Sequence, residues 1–263
     1  MDIYKKYFLG IWKDRFVLWS LINRDLQQKY RRSKLGVFWS VLTPTGLAVI
    51  IGLVYATLFS ADPRVFIPLL FAGLNPWNFI SNSANIASVS FMSAESYLKQ
   101  STVNAQIFPL RSVLVSFVDL LYSIIAFLTI YLFLQPDNFG IKMLMVIPGL
   151  IIMFAFVLSI ANIVSVINLN IRDYQPLQTI IFQGLFYITP VIYSKDMMAK
   201  RGLSFVYEWN PLYYILEVVK TPLQGRELLN VDTYIISIIM TVILFIYSVR
   251  LVMREKETVA LKL

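Results

Sequence analysis

The 263-residue chain contains no cysteine and no histidine. These absences exclude disulfide bonds, thiolate nucleophiles, imidazole bases and metal sites built on Cys or His ligands. Charge is also scarce, because only 14% of the residues are charged while 58% are hydrophobic, and the mean hydropathy is +0.68. A soluble domain usually carries about 25% charged residues. The composition therefore predicts a membrane protein.

The sequence also lacks the G-x-x-x-x-G-K-[ST] loop that cradles ATP phosphates in many ATPases. None of the ten glycines is followed by lysine. We therefore expect this chain to bind no cofactor, and an ATP-driven role would require a separate ATPase subunit that uses ATP and Mg. The net charge of +8 is explained by basic segments beside a membrane, so no nucleic-acid partner is expected.

Six stretches with at most one charge are long enough to cross a bilayer, which takes about 20 helical residues. They predict an all-α, polytopic membrane protein in one membrane domain, residues 37–253, with a tail at 254–263. If both termini are cytoplasmic, the cytoplasmic segments contain about twice as many Lys and Arg residues as the outer segments, which is the usual bias. With the residues that flank these stretches included, the predicted transmembrane helices are residues 37–59, 65–92, 108–135, 143–168, 174–193 and 232–251.

Residues 1–36 are predicted to form a cytoplasmic amphipathic helix at the membrane interface. Between residues 4 and 34, large apolar side chains recur every three or four positions, which is the period of one helical face. Tryptophan on that face and cations elsewhere suit a helix lying in the interface. The alternative is a helix packed on another protein, and both can hold. The apolar positions are Phe8, Trp12, Phe16, Trp19, Ile22, Leu26 and Tyr30.

The outer segment, residues 195–230, lies between the fifth and sixth predicted spans. It is apolar and aromatic, but Glu208, Glu217 and Lys220 and several prolines interrupt it. We predict short re-entrant helices that enter the membrane from the outer face and return, which requires burial in protein or contact with a wet cavity. The alternative is a pair of helices lying flat on the outer leaflet.

Two of the predicted spans contain polar residues that are candidates for function. Asp119 is the only acid in the interior of a predicted span, since Asp232 stands at the first position of the sixth, and an intramembrane carboxylate is a functional candidate by default. We expect it to bond water or a neighbouring hydroxyl in a structural role. The second span carries prolines, serines and asparagines between Pro68 and Asn85, so it should face the bundle interior. A wet pathway and close helix packing both explain this composition.

Aromatic residues are abundant, and several cluster in the fifth span and the outer segment. Aromatic faces edged by hydroxyl and N–H groups fit the C–H faces and hydroxyl rims of sugars. Core packing and interfacial belts use the same residues. The predicted lining of a glycan channel is Phe38, Trp39, Tyr55, Phe182, Phe186, Tyr187, Tyr193, Trp209 and Tyr213.

Several segments resemble the permeases of polysaccharide-exporting ABC transporters, the type-2 exporter membrane subunits. Residues 24–44, RDLQQKYRRSKLGVFWSVLTP, are similar to the N-terminal motif of that family. Residues 169–177, LNIRDYQPL, are similar to its cytoplasmic turn before the fifth span. The order and spacing of the segments carry the resemblance, which is strongest to O-antigen and lipopolysaccharide export permeases. The other similar segments are 71–79, 96–114, 188–194 and 209–223.

This resemblance implies a homodimer of six-helix subunits joined to two copies of an ABC ATPase subunit in the bacterial inner membrane. It implies that a lipid-linked polysaccharide, typically on undecaprenyl diphosphate, moves from the cytoplasmic to the outer face. A capsular polysaccharide or teichoic acid permease is an alternative. A membrane-embedded transferase is an alternative from another class, although the acids are scattered along this chain.

Two groups of charged residues are candidates for roles in such an exporter. Clustered cations beside the first span would attract a lipid diphosphate, although positive-inside topology alone also explains them. The cytoplasmic turns after the second and fourth spans would contact the ATPase. The candidates are Arg24, Lys29, Arg31, Arg32 and Lys34 for the lipid diphosphate, and Glu95, Lys99, Arg172 and Asp173 for coupling to the ATPase.

Overall fold

The computed structural model describes residues 3–31, 33–58, 60, 62–200, 202–256 and 258–263. Within these ranges the regular structure is entirely helical, with no β-strand, which confirms the predicted all-α class. Four helical stretches in the described part of the chain are long and apolar enough to cross a membrane. They are Trp39–Leu58, Ile107–Leu134, Ile141–Asn170 and Val231–Glu255.

The helices are numbered here in chain order. Three short 3-10 segments, Gly36–Phe38, Pro136–Asn138 and Ile141–Met145, join some of them. The α-helices are α1 (Ile3–Lys13), α2 (Arg15–Tyr30), α3 (Trp39–Leu58), α4 (Pro63–Ser88), α5 (Ser90–Ser93), α6 (Glu95–Gln100), α7 (Ile107–Leu134), α8 (Val146–Asn170), α9 (Tyr174–Ile188), α10 (Lys195–Ala199), α11 (Ser204–Glu208), α12 (Pro211–Gln224), α13 (Val231–Glu255) and α14 (Val259–Lys262).

Helix α4 lies at the centre of the bundle, where it packs against α3, α7, α8 and α12. It is 26 residues long, with Pro68 and Pro76 inside it. Its prolines and asparagines make it less apolar than the four stretches above. Prolines inside a membrane helix are tolerated where neighbouring helices satisfy the freed backbone groups. The central position of α4 agrees with the expectation that this helix faces the bundle interior.

The predicted N-terminal helix is divided into α1 and α2 by a bend at Asp14, whose backbone angles are φ −97° and ψ 16°. The Asp14 carboxylate accepts hydrogen bonds from both the main-chain N–H and the side-chain amide of Asn104, each at 2.7 Å. Asp14 is itself buried. The bend therefore fits the helix pair around the segment that leads into α7.

The aromatic face of this helix pair is open. The side chains of Phe8, Trp12, Phe16 and Trp19 are 55, 67, 72 and 65% exposed. The Arg15 guanidinium lies 4.7 Å from the ring centre of Trp12 and 4.3 Å from that of Phe16. An open aromatic face with a cation beside it fits a helix pair lying in the membrane interface. The buried residues that hold the pair on the bundle include Tyr7, Leu18, Leu21 and Ile22.

Helices α1 and α14 lie at the same end of the bundle. The Tyr7 ring of α1 packs against Phe245 of α13, and the Tyr7 hydroxyl accepts a hydrogen bond from Asn162 of α8 at 3.2 Å. The Lys262 ammonium of α14 donates to Asn170 at the end of α8. The two terminal helices therefore meet the same ends of α8 and α13.

Helix α12 occupies the opposite end of the bundle, between α4, α8 and α13. Its approach to α8 depends on Gly149, because a Cβ atom at that position would lie 1.9 Å from the main-chain oxygen of Val218. The Ser237 hydroxyl of α13 donates to the main-chain oxygen of Tyr214 at 3.1 Å. Most of α12 is buried by this packing.

Candidate functional site

The polar face of α4 lines two neighbouring cavities. The first cavity has a volume of about 350 Å³ and lies between α2, α3, α4 and α7. Hydroxyl and amide side chains make up much of its wall. Its lining residues are Lys29, Trp39, Ser40, Thr43, Pro44, Leu47, Asn75, Asn78, Phe79, Asn82, Ile86, Ser116, Asp119, Leu120 and Ser123.

Asp119 lies in the wall of the first cavity, and its partners among the described residues include Lys29 and Ser40. One carboxylate oxygen accepts a hydrogen bond from the Lys29 ammonium at 2.7 Å, and the other accepts from the Ser40 hydroxyl at 3.0 Å. The expected hydroxyl partner of Asp119 is therefore present. The lysine partner was not expected, because it lies 90 positions earlier in the chain.

Three amide side chains of α4 face the first cavity: Asn75, Asn78 and Asn82. Asn75 is 5% exposed, whereas Asn78 and Asn82 are exposed. Among the described residues, none forms a hydrogen bond with these three side-chain amides. An amide inside a membrane domain needs a polar partner. This arrangement favours a wet pathway over close helix packing as the reason for the polar residues of α4.

The second cavity, of about 230 Å³, lies between α4 and α9. The Trp77 ring centre lies 6.3 Å from that of Phe182 and 5.7 Å from that of Phe186. On the polar side, the Gln178 amide donates to Asn85 at 2.9 Å, which ties α9 to α4. The lining residues are Trp77, Ser81, Asn85, Thr179, Phe182, Gln183, Phe186 and Tyr187.

Three of the residues predicted to line a channel, Phe182, Phe186 and Tyr187, therefore share one cavity. Trp39 lines the first cavity, and the adjacent Phe38 is exposed. The Tyr193 hydroxyl donates to the main-chain oxygen of Tyr187 at 2.6 Å, beside the second cavity. Trp77 was not among the predicted lining residues, although it belongs to one of the segments that carry the family resemblance.

The three other predicted channel residues lie outside both cavities. Tyr55 packs against a small cluster that includes Phe66. Tyr213 is buried on α12, with its ring centre 5.0 Å from that of Tyr207. Trp209 is 87% exposed at the turn before α12. A role for these three residues in a glycan path stays a prediction.

The cations predicted to meet a lipid diphosphate lie along α2 and the turn that follows it. Arg24 donates to the Tyr97 hydroxyl at 2.9 Å, and Lys29 is paired with Asp119. Arg31 and Lys34 are exposed. The remaining predicted cation, Arg32, lies outside the described residues.

An ion pair that the sequence analysis did not anticipate joins α2 to α7. The Arg111 guanidinium binds both carboxylate oxygens of Asp25, with the Nε–Oδ2 distance at 2.5 Å. The side chains are 16% and 21% exposed, respectively. Two-point contacts between guanidinium and carboxylate fix orientation as well as contributing energy, so this pair sets the position of α2 on the bundle.

Breaking this pair is expected to destabilise the protein. Asp25→Ala should lower the free energy of unfolding by about 3 kcal/mol, because Arg111 would keep a largely buried charge without its partner. The exposed pair of Glu95 and Lys99 is the comparison, since Glu95→Ala should have a much smaller effect on the free energy of unfolding. Unfolding by SDS in mixed micelles measures both values. Equal small losses in both variants would show that the Asp25 pair does not hold α2.

The residues predicted to contact an ATPase form one exposed surface, the coupling surface, made of α5, α6 and the turn between α8 and α9. On α6, Lys99 donates to Glu95 at 2.7 Å. This hydrogen bond holds the pKa of Glu95 below its ordinary value, and the charge of Arg172 adds a smaller effect in the same direction. Arg172 and Asp173 are both exposed. The structure therefore brings all four predicted coupling residues to the end where α1 and α14 lie.

Lys220 on α12 holds the turn that follows α9. It is 2% exposed, and its ammonium donates to the main-chain oxygens of Pro190 and Tyr193 at 2.5 and 3.0 Å. The turn also packs on α4, because a Cβ atom on Gly73 would lie 2.0 Å from the main-chain oxygen of Val191. The end of α9, which carries the aromatic wall of the second cavity, is positioned by these contacts.

Sequence comparison identifies relatives of this chain. The sequence model of the family described as ABC-2 type transporter matches residues 17–222. One Klebsiella pneumoniae protein, named O-antigen export system permease protein RfbA, is 28% identical over 254 residues, which are 92% of this chain and 94% of that relative. Another Klebsiella pneumoniae protein of the same name is 29% identical over 81% of each chain. A Myxococcus xanthus protein of that name is 26% identical over 78% of this chain and 79% of the relative.

Proposed function

Because the chain belongs to the ABC-2 type transporter family, we propose that it is the transmembrane subunit of an ATP-driven exporter of lipid-linked O-antigen. The names of relatives that align with most of its length support this substrate. The observation that carries the proposal is the polar, open face of α4 between α3 and α9. A wall of amides, hydroxyls and aromatic rings inside a membrane domain suits the passage of a glycan.

In this proposal the chain crosses the inner membrane six times, through α3, α4, α7, α8, α9 and α13. Helix α9 has 15 residues, and the turn held by Lys220 would complete its crossing. An even number of crossings agrees with α1 and α14 lying at one end of the bundle, and the excess of Lys and Arg in the connecting segments favours a cytoplasmic location for that end. Helices α10 to α12 would form the outer segment, with α12 as a re-entrant helix enclosed by protein.

Two copies of the chain would form the path. A single copy leaves the faces of both cavities open, and exposed amides such as Asn78 and Asn82 would be unfavourable against lipid. A second copy facing the first would enclose these walls and leave polar groups only toward the lumen. The substrate would then be an undecaprenyl-diphosphate-linked chain. Export of a capsular polysaccharide or a teichoic acid would use the same geometry, and the names of the relatives favour O-antigen.

Energy would come from two copies of an ABC ATPase subunit, which would bind ATP and Mg at its own sites. The coupling surface, with Glu95, Lys99, Arg172 and Asp173, is the proposed contact. Its charges are exposed and of both signs, which suits a contact with a soluble subunit. In this role the chain forms the path and catalyses no reaction itself, so the transferase alternative has no support from its family.

Isolation of the complex tests this proposal. A tagged copy of the chain, expressed with the products of the neighbouring genes, is expected to purify with an ABC ATPase at a two-to-two ratio, measured by native mass spectrometry. Charge reversal of both Arg172 and Asp173 should weaken the association, while reversal of Asp137, which is exposed at the other end of α7, should not. Purification of the chain without any ATPase under these conditions would contradict the proposal.

A further inference from the structure

We infer that the first cavity is a binding site for the sugar unit next to the diphosphate of the lipid-linked substrate. In this site Asp119 would accept hydrogen bonds from sugar hydroxyls, the amides of α4 would both donate to them and accept from them, and Lys29 would contact the diphosphate. The inference rests on the proposed function and adds to it a place where the head of the substrate is recognised before it moves.

The polar groups of the cavity have the chemistry of a sugar site. Asn75 is 5% exposed and its amide faces the cavity with no hydrogen-bond partner among the described residues. The amide reaches the cavity, where water or a ligand can supply the hydrogen bonds that the described residues do not. Ser123 and Thr43 add hydroxyls to the wall, and the exposed Trp39 ring stands at its edge. The volume of about 350 Å³ lies within the usual range of small-molecule pockets, about 300–1,000 Å³.

The charges in the cavity fit a ligand that has both hydroxyls and an anionic group. The carboxylate of Asp119 is neutralised by Lys29 at 2.7 Å, so it does not repel an incoming phosphate. An ammonium has three N–H donors, which lets one lysine contact a carboxylate and a phosphate together. The exposed cations Arg31 and Lys34 follow Lys29 in the chain and would attract the diphosphate toward the opening.

The position of Asp119 also favours a ligand. It lies twelve residues into α7, which at the helical rise corresponds to about 18 Å from the start of the helix. An acid inside a membrane-spanning helix is a functional candidate, and the Asp119 side chain is 29% exposed in the cavity wall.

The test uses the purified complex with its ATPase in phosphatidylethanolamine nanodiscs and three probes. The probes are a polyprenyl diphosphate carrying one N-acetylglucosamine, the same polyprenyl diphosphate without sugar, and phosphatidylglycerol. The complex should bind the sugar-bearing probe most tightly. Asp119→Asn should weaken binding of the sugar-bearing probe at least tenfold, because hydrogen bonds to a charged group contribute more than neutral ones. The same substitution should change binding of the sugar-free probe by less than about threefold. Asn82→Ala should weaken binding of the sugar-bearing probe about fivefold.

Matched substitutions outside the cavity serve as controls. Asp137→Asn removes an exposed carboxylate beyond the other end of α7, and Asn230→Ala removes an exposed amide before α13. Both should leave all three affinities unchanged. Asn82 is exposed and lacks a partner among the described residues, so Asn82→Ala should fold normally. If Asp119→Asn does not fold, Asn82→Ala alone still tests the cavity.

Three results would overturn the inference. Equal weakening of the probes with and without sugar would show that Asp119 has a structural role only. Equal binding of phosphatidylglycerol would identify a phospholipid site, and unchanged affinity in both cavity variants would place the sugar elsewhere. In each case a complex that still assembles with its ATPase and binds the sugar-bearing probe leaves the proposed function standing.

Discussion

Replacement of Gln183 by tryptophan is expected to abolish export while the complex with the ATPase still assembles. Gln183 is exposed on α9 and lines the second cavity. An indole ring at this position would fill much of a space of about 230 Å³, and two copies of the chain would bring two such rings into the path. Export of surface glycan in cells, measured against the amount of assembled complex, should fall to the background level.

Ile181→Trp is the matched control for this prediction. Ile181 is 45% exposed on the same helix, and two residues along a helix turn a side chain to nearly the opposite face. The same ring would then lie outside the second cavity, and export should be close to that of the unmodified chain. Equal loss of export in both variants, or normal export in Gln183→Trp, would show that the glycan does not pass along α9.

Substitution of Gly149 by alanine is expected to have the largest effect on stability. The added Cβ atom would lie 1.9 Å from the main-chain oxygen and 2.7 Å from the main-chain carbon of Val218. No rotamer change relieves a clash with backbone, so α12 and α8 must separate. Overpacking of this kind costs about 3 kcal/mol or more, and SDS unfolding of the purified protein measures it.

The control is Gly46→Ala in α3, because a Cβ atom at Gly46 meets nothing within 4 Å. Alanine is favoured over glycine inside a helix by about 1 kcal/mol, so this variant should be as stable as the unmodified chain or slightly more so. A Gly149 variant that unfolds at the same SDS concentration as the Gly46 variant would contradict the close contact between α8 and α12.

Much of the helix pattern was predictable, because charge and prolines mark its limits. The second span was predicted at residues 65–92, and α4 runs from Pro63 to Ser88. It begins earlier because Asp62 caps it, with the carboxylate accepting a hydrogen bond from the Arg64 N–H at 2.8 Å. Such a cap is a local signal of a helix start, and the limits of an uncharged run do not contain it.

The division of the N-terminal helix was not predictable from periodicity. The apolar stripe continues through Asp14, and the bend depends on hydrogen bonds to Asn104, which is 90 positions away in the chain. A local pattern contains no information about such a partner. The same holds for Lys29. From the sequence, its charge is explained by the excess of cations in cytoplasmic segments, and only the packing of α2 shows that it pairs with Asp119.

The candidate site was predictable in part. The aromatic residues of α9 recur at helical spacing, and two of them, Phe182 and Phe186, face one cavity together. The opposite wall could not be assigned, because the positions of Trp77 and Asn85 beside α9 depend on how α4 packs. The polar character of α4 was visible in the sequence, and the cavities show which of its faces is open.

Transport in vesicles tests the central claim most directly. The complex of this chain with its ATPase is reconstituted in sealed vesicles containing a fluorescent lipid-linked glycan, with the coupling surface oriented outward, so that ATP outside drives movement to the inside. We expect the glycan to become inaccessible to an added glycosidase only when ATP is present and only with unmodified Gln183. Protection of the glycan without ATP, or no protection under any condition, would contradict the account.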